Sequence, residues 1–140
     1  MTAPIFIDTG YVLALVNTAD KYHECAYATS LVVQPPFITT EAVLTEIGNA
    51  LSKIRWRMLG FATINDLRTD PDIEVVAVDA ALFDRAIILY GSRSDKEWGL
   101  TDCISFVVMQ ERGLTHSLTT DRHFAQAGFQ NALLSTPADF

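Results

Sequence analysis

Four carboxylates occupy positions that a parallel sheet would gather at one edge. Asp8 and Asp121 each end a strand-like run, in IFID and LTTD, whereas Glu46 and Asp102 lie in the opening turns of predicted helices, in VLTEIGNAL and GLTDCISF. Ionised carboxylates that converge on one pocket repel one another, and burying them is costly. A hard divalent cation such as Mg²⁺ or Mn²⁺ offsets both costs, because such ions take oxygen ligands. The sequence therefore predicts a metal site built by these four acids.

Each acid also has a purely structural interpretation. Asp8 and Asp121 could cap the helices that follow them, and Asp102 could interact with the dipole of its helix from the first turn. Glu46 could lie on a solvated helix face, although Glu41, in the first turn of the same helix, fits that role better. Four such acids at one sheet edge are much harder to explain by chance than any one of them.

The elements that must position these acids alternate between strand and helix. Predicted strands cover residues 5–8, 37–39, 73–78 and 117–120, with a further edge strand at 132–134. Predicted helices cover YVLALVN, residues 21–33, the segment from Thr40 to Leu51, and residues 56–68, 80–91, 101–112 and 122–127. This alternation predicts an α/β fold with a central parallel sheet of four to five strands flanked by helices.

Side chains at the helix ends support these boundaries. Thr40, Asp79 and Thr101 are the predicted N-caps of three helices, and Gly113 is predicted to end the helix that carries Asp102. In parallel α/β sheets, ligands bind beyond the carboxyl ends of the strands, where Asp8 and Asp121 would lie.

Length and composition indicate one domain spanning residues 1–140, with 49% hydrophobic residues and enough chain for a core. No apolar run reaches the roughly 18 residues of a membrane span. The first predicted strand leaves no room for a signal peptide, so we expect a cytoplasmic protein. Cys25 and Cys103 lie in helix-like apolar stretches and are expected to be reduced core thiols.

The net charge of −7 argues weakly against nucleic acid as a partner. Setting aside the four proposed ligands leaves −7 + 4 = −3, which is an ordinary surface charge. Bound cations would also make the acidic pocket attractive to a phosphate. The chemistry of the site is therefore a better guide to the partner than the charge of the whole chain.

Several motifs together resemble one family. They are FIDTGYVLALVN, DKYHECA, the Glu46 helix, DKEWGLTDCISFVVMQERG and LTTDRHFAQAGF, and they span nearly the whole chain. In them the chain resembles a PIN domain of the VapC type, the toxins of bacterial and archaeal toxin–antitoxin systems. The resemblance implies a three-layer α/β/α fold and a ribonuclease dependent on Mg²⁺ or Mn²⁺, with its acids at Asp8, Glu46, Asp102 and Asp121. The choice of Glu46 over Glu41 rests partly on this resemblance. It further implies an RNA substrate, a cognate antitoxin, a homodimer and no membrane association.

Three other functions stay open at this point. One is a PIN-fold nuclease of RNA maturation, and another is a partner-binding module with weak or no catalysis. A phosphatase that forms an aspartyl phosphate usually carries a second Asp two residues after its nucleophile, and Gly10 stands there instead.

The remaining polar and aromatic residues have structural interpretations by default. His23 and His123 are expected to pack and to form hydrogen bonds near turns, and Trp98 is expected to anchor its loop.

The basic residues form two groups. One is the run of Lys53, Arg55 and Arg57, whose default interpretation is a solvated helix face, with phosphate contact or partner binding left open. The other comprises the better candidates for phosphate contacts, which are Arg93, Lys96 and Arg122.

Overall fold

The computed structural model describes residues 2–134, which form a five-stranded parallel sheet flanked by seven helices. The strands are β1 (Ile5–Ile7), β2 (Phe37–Thr40), β3 (Ile73–Val76), β4 (His116–Leu118) and β5 (Gln130–Asn131). Their order across the sheet is β3-β2-β1-β4-β5, and all neighbouring pairs are parallel. The predicted α/β class and strand number are confirmed.

The helices are α1 (Thr9–Val16), α2 (His23–Ser30), α3 (Glu41–Ala50), α4 (Ile54–Thr69), α5 (Ala80–Ser92), α6 (Leu100–Glu111) and α7 (His123–Gln126). Two predicted N-caps are confirmed, because Thr40 Oγ1 accepts from Val43 N and Asp79 Oδ1 accepts from Leu82 N. Across residues 2–134, no helix combines the length and apolar character needed to cross a bilayer.

Helix α6 is the centre of the core, because every residue from Cys103 to Met109 is buried. A helix that is apolar on all sides is stable only where other elements surround it. Phe106 makes edge-to-face contacts with Trp98 and Phe124, each at 4.9 Å between ring centroids. Trp98 also donates from Nε1 to Gln126 Oε1 and is 6% exposed, so the prediction that it anchors its loop is confirmed.

Two predicted details are wrong. The N-cap of α6 is Gly99, and Thr101 already lies within the helix. The edge strand is Gln130–Asn131 and not 132–134, since Gln130 N and Ala132 N bond to carbonyls of Thr115 and Ser117. Leu133 N then bonds to Asn131 Oδ1, which turns the chain away from the sheet.

The helix predicted over residues 21–33 is also shorter than expected. Asp20 Oδ1 accepts from Tyr22 N, and this local turn delays the start of α2 to His23. Asp side chains compete with helical bonding in this way because they bond to the backbone two residues on.

Candidate active site

Asp8 lies at the carboxyl end of β1, where the chain leaves the sheet and enters α1. Its backbone is extended and its N–H bonds to Leu118 O at 3.0 Å, so the pairing of β1 with β4 continues through it. Asp8 occupies the N-cap position of α1, but its side chain forms no capping hydrogen bond. Asp8 Oδ2 instead accepts from Thr119 Oγ1 at 2.8 Å, and both residues are buried. The contact across the sheet, and not helix capping, therefore orients this carboxylate.

Burial raises the pKa of Asp8 from its ordinary value of 3.8 to about 7. The bond from Thr119 opposes that shift, whereas the nearby charges of Asp102 and Asp121 add to it. Asp8 is only 4% exposed and lies near two other acids, so the protein alone compensates its negative charge poorly.

Asp102 and Asp121 meet around one imidazole. Asp102 Oδ2 accepts from Gly99 N at 3.0 Å and lies 2.9 Å from His123 Nδ1. Asp121 Oδ1 accepts from His123 N and lies 3.3 Å from the same Nδ1. One ligand atom from each of Asp102, Asp121 and His123 lies within 4.8 Å of the other two. These three side chains are therefore close enough to share one ion.

Burial is the main cause that raises the pKa of Asp102, and the charge of Asp121 raises it further. The hydrogen bond with His123 lowers it. An ionised carboxylate can only accept, so when Asp102 is ionised the Nδ1–H group of His123 donates this hydrogen bond. The imidazole thus holds the two acids together.

Glu46 lies apart from that group, in the second turn of α3. Its Oε1 accepts from Thr9 Oγ1 at 2.6 Å, which ties it to the residue directly after Asp8. Glu41, the other acid of this helix, bonds through Oε1 to Val78 N at 2.8 Å and so holds the segment after β3. Glu46 therefore faces the start of α1, whereas Glu41 faces a backbone amide elsewhere.

Gly10 allows the close approach on which the site depends. A Cβ atom at this position would overlap Thr120 Oγ1, which lies in the segment after β4. The absence of a side chain lets α1 begin directly against that segment, which brings Thr119 and Asp121 toward Asp8.

The structure also places the other candidates. The structural interpretation of His23 is confirmed, because its Nδ1 bonds to Ala14 O at 2.8 Å. Arg93 and Lys96, predicted to contact phosphate, both pair with Asp95. Arg122 lines a pocket of about 240 Å³ together with Asp121.

Sequence reasoning missed the part that His123 plays between the acids. The only signal was its spacing, two residues after Asp121 on a short helix, and that spacing alone does not show where the imidazole points. The donors of the whole region are the carboxylates of Asp8, Glu46, Asp102 and Asp121 and the imidazole of His123. Such donors fit a hard or borderline divalent cation. The pKa of Asp8 is raised because its ionised form is unfavourable in this buried site, and a bound cation would stabilise that ionised form.

Comparison with known proteins adds to this geometry. The family model of the PIN domain matches residues 5–130. The chain is 28% identical over 125 residues to the 23S rRNA-specific endonuclease VapC20 of Mycobacterium tuberculosis, and the match covers 89% of this chain and 95% of that protein. The crystal structure of VapC20, a sarcin–ricin loop cleaving toxin, superposes with a TM-score of 0.83 at 27% identity over 89% of this chain and 95% of that one.

More distant structures share the fold alone. FitAcB from Neisseria gonorrhoeae has a TM-score of 0.65 at 15% identity, with 91% of this chain and 95% of that one covered. VapBC2 from Rickettsia felis, bound to a DNA fragment from its promoter, has a TM-score of 0.63 at 11% identity, with 92% and 97% covered.

Proposed function

This chain belongs to the PIN-domain family, and from that premise we propose that it is a divalent-metal-dependent endoribonuclease and the toxin of a toxin–antitoxin pair. The observation that carries the proposal is the group of Asp102, Asp121 and His123, with buried Asp8 close enough for the charges of the two acids to raise its pKa. The similarity to VapC20 supports RNA as the substrate, since that protein is a 23S rRNA-specific endonuclease. We propose structured ribosomal RNA as the substrate class.

In this proposal Asp8, Glu46, Asp102 and Asp121 hold the cation, which is Mg²⁺ or Mn²⁺. When bound, such an ion makes hydroxide available near neutral pH and offsets negative charge on the reacting phosphate. The remaining work belongs to the chain, which must hold four acids in place against their mutual repulsion. Other side chains hold three of them, because Thr119 bonds to Asp8, Thr9 bonds to Glu46, and His123 bonds to Asp102.

The chemistry needs no side-chain nucleophile. Water attacks phosphorus and loses a proton to solvent, and the 3′ oxygen takes up a proton from solvent as its bond to phosphorus breaks. The products are a 5′-phosphate on one fragment and a 3′-hydroxyl on the other. Arg122, in the pocket beside Asp121, is placed to contact a phosphate of the bound strand.

The proposal includes protein partners and a location. An antitoxin would inhibit the site most directly by inserting an Arg side chain, because guanidinium pairs with carboxylates through two hydrogen bonds. A homodimer is supported by Phe83, Ile87 and Tyr90, which lie at helical spacing on α5 and are exposed. The cytoplasm, where ribosomal RNA occurs, is the proposed location.

The test is cleavage of a 23S rRNA fragment that contains the sarcin–ricin loop. Wild-type protein should cut the fragment with Mg²⁺ and leave it intact with chelator. Asp102→Asn should be inactive while keeping the wild-type circular dichroism spectrum. The matched control is Asp72→Asn, in the exposed segment before β3, which should cut as wild type does. Cleavage by Asp102→Asn at the wild-type rate would show that the site assignment is wrong.

A further inference from the structure

Three of the six basic side chains that form no ion pair within residues 2–134 lie at the start of α4. Four of the ten basic side chains pair with the chain's own carboxylates, namely Arg85 with Glu111, Arg112 with Glu74, and both Arg93 and Lys96 with Asp95. Lys53, Arg55 and Arg57 are exposed, and among residues 2–134 no carboxylate lies within ion-pair distance of them. We call these three residues the α4 cation cluster.

The cluster stands on a tightly packed hairpin of α3 and α4. A Cβ atom at Gly60 would meet Leu51, and one at Gly48 would meet Ile64, so the two helices approach closely at two levels. Arg57 donates from Nη1 to Ser52 O at 2.8 Å and so fixes the turn between the helices. The cations are therefore presented by a rigid element.

The short connection to β3 sets the direction of α4. Helix α4 ends at Thr69, only residues 70–72 separate it from the start of β3 at Ile73, and the two elements are in contact. The helix therefore runs antiparallel to β3, and Ile64 lines a groove with Val75 near the end of that strand. From Ile64 back to Ile54, ten residues at a rise of about 1.5 Å carry the helix about 15 Å further in the same direction. The start of α4 thus overhangs the carboxyl edge of the sheet.

That edge is where the proposed catalytic acids lie. Glu46 is on α3 only six residues before Ser52, which corresponds to about 9 Å of helical rise. A polyanion bound at the acids would therefore pass the cluster within a few nucleotides. No comparable group of unpaired cations stands elsewhere in the described part of the chain.

We propose that the α4 cation cluster is a docking site for the phosphates of the RNA substrate, outside the cleavage site. The proposal rests on the ribonuclease function proposed above. An acidic chain that binds RNA needs cationic contacts apart from its metal site, because phosphate neutralisation supplies most of the affinity. Arg55 lies 5.4 Å over the ring of Trp56, and Met58 and Phe61 are exposed beside it. Aromatic and apolar side chains of this kind also accept unstacked bases of RNA loops.

The test compares two double variants of equal net charge. Lys53→Gln with Arg55→Gln removes two cluster cations and leaves Arg57, which holds the turn. Arg85→Gln with Arg112→Gln is the control, because it removes two cations that pair with carboxylates away from the cluster. Each protein is assayed with the sarcin–ricin fragment and Mg²⁺ at several salt concentrations, and binding is measured separately by fluorescence anisotropy in chelator.

The cluster variant should raise KM about tenfold at low salt while kcat stays within twofold. Its slope of log affinity against log salt should be shallower than that of wild type by about 1.5. The control should match wild type in both. If the cluster variant also matches wild type while wild type cleaves, the docking site is refuted, and the surface serves a protein partner instead. If wild type fails to cleave, the proposed function fails, and unchanged salt slopes for the cluster variant would refute the docking site independently.

Discussion

The buried carboxylate of Asp8 should make the metal-free protein less stable as the pH rises. Its folded-state pKa of about 7 lies above the ordinary value of 3.8, so between these values the folded chain binds more protons than the unfolded chain. Stability from this group is therefore greatest at low pH and is lost as the pH rises toward 7. A difference of about three pKa units corresponds to about 4 kcal/mol of destabilisation once the folded carboxylate is fully ionised.

The substitution Asp8→Asn removes this titration and keeps an oxygen that can accept from Thr119. In chelator, the free energy of unfolding of the variant minus that of wild type should increase by about 2 kcal/mol between about pH 5.5 and about pH 8. Groups distant from Asp8 titrate alike in both proteins and cancel from the difference, and the repulsion of Asp8 by Asp102 and Asp121, which the variant lacks, acts in the same direction. Urea denaturation at 25 °C, followed by circular dichroism, measures it. Asp72→Asn, in the exposed segment before β3, is the control and should give a difference that does not change with pH.

Excess Mg²⁺ should stabilise wild type more than it stabilises Asp8→Asn. A ligand that binds only the folded state stabilises it in proportion to the logarithm of its concentration over its dissociation constant. Wild type should gain stability at pH 8 and Asp8→Asn should gain little. A difference between the two proteins that stays constant from pH 5.5 to pH 8 in chelator would refute the reasoning, because Asp8 would then not be a strained acid.

Three further outcomes are expected. Glu46→Gln should reduce the cleavage rate about 10- to 100-fold. Glu41→Gln keeps an acceptor for the amide of Val78 and should cleave as wild type does. His123→Ala should weaken Mg²⁺ binding about tenfold by calorimetry, since Asp102 loses the donor that orients it. Gly10→Ala should lower the free energy of unfolding by about 1–3 kcal/mol in urea titrations, because its Cβ overlaps the segment after β4, and Gly91→Ala, with open space around it, should not.

Much of the fold could be predicted because its signals are local. The apolar run of β1, the caps Thr40 and Asp79, and the stop at Gly113, whose φ is +65°, all depend on residues close in sequence. The errors at the starts of α2 and α6 came from local hydrogen bonds of Asp20 and Asp102, whereas the error at β5 arose because distant backbone decided the outcome. The pairing partner of β5 is β4, and local propensity does not choose between registers two residues apart.

Part of the candidate site could be predicted from the sequence and part could not. The carboxyl ends of parallel strands meet at one edge, so the nearness of Asp8 and Asp121 could be inferred from the predicted strands. The bond between Thr119 and Asp8 joins residues 111 apart, and the contact of His123 with Asp102 depends on how a four-residue helix packs. Side-chain orientation of this kind has no periodic signature in a sequence.

The most direct test of the central claim is the chemistry of the RNA ends. The 23S rRNA fragment is cleaved with wild-type protein and Mg²⁺ in water enriched in ¹⁸O, and the fragments are examined by mass spectrometry. The proposed mechanism predicts 5′-phosphate and 3′-hydroxyl ends, with one ¹⁸O atom in each new 5′-phosphate, and no cleavage in chelator. Cyclic 2′,3′-phosphate ends without ¹⁸O, or cleavage that persists in chelator, would contradict it.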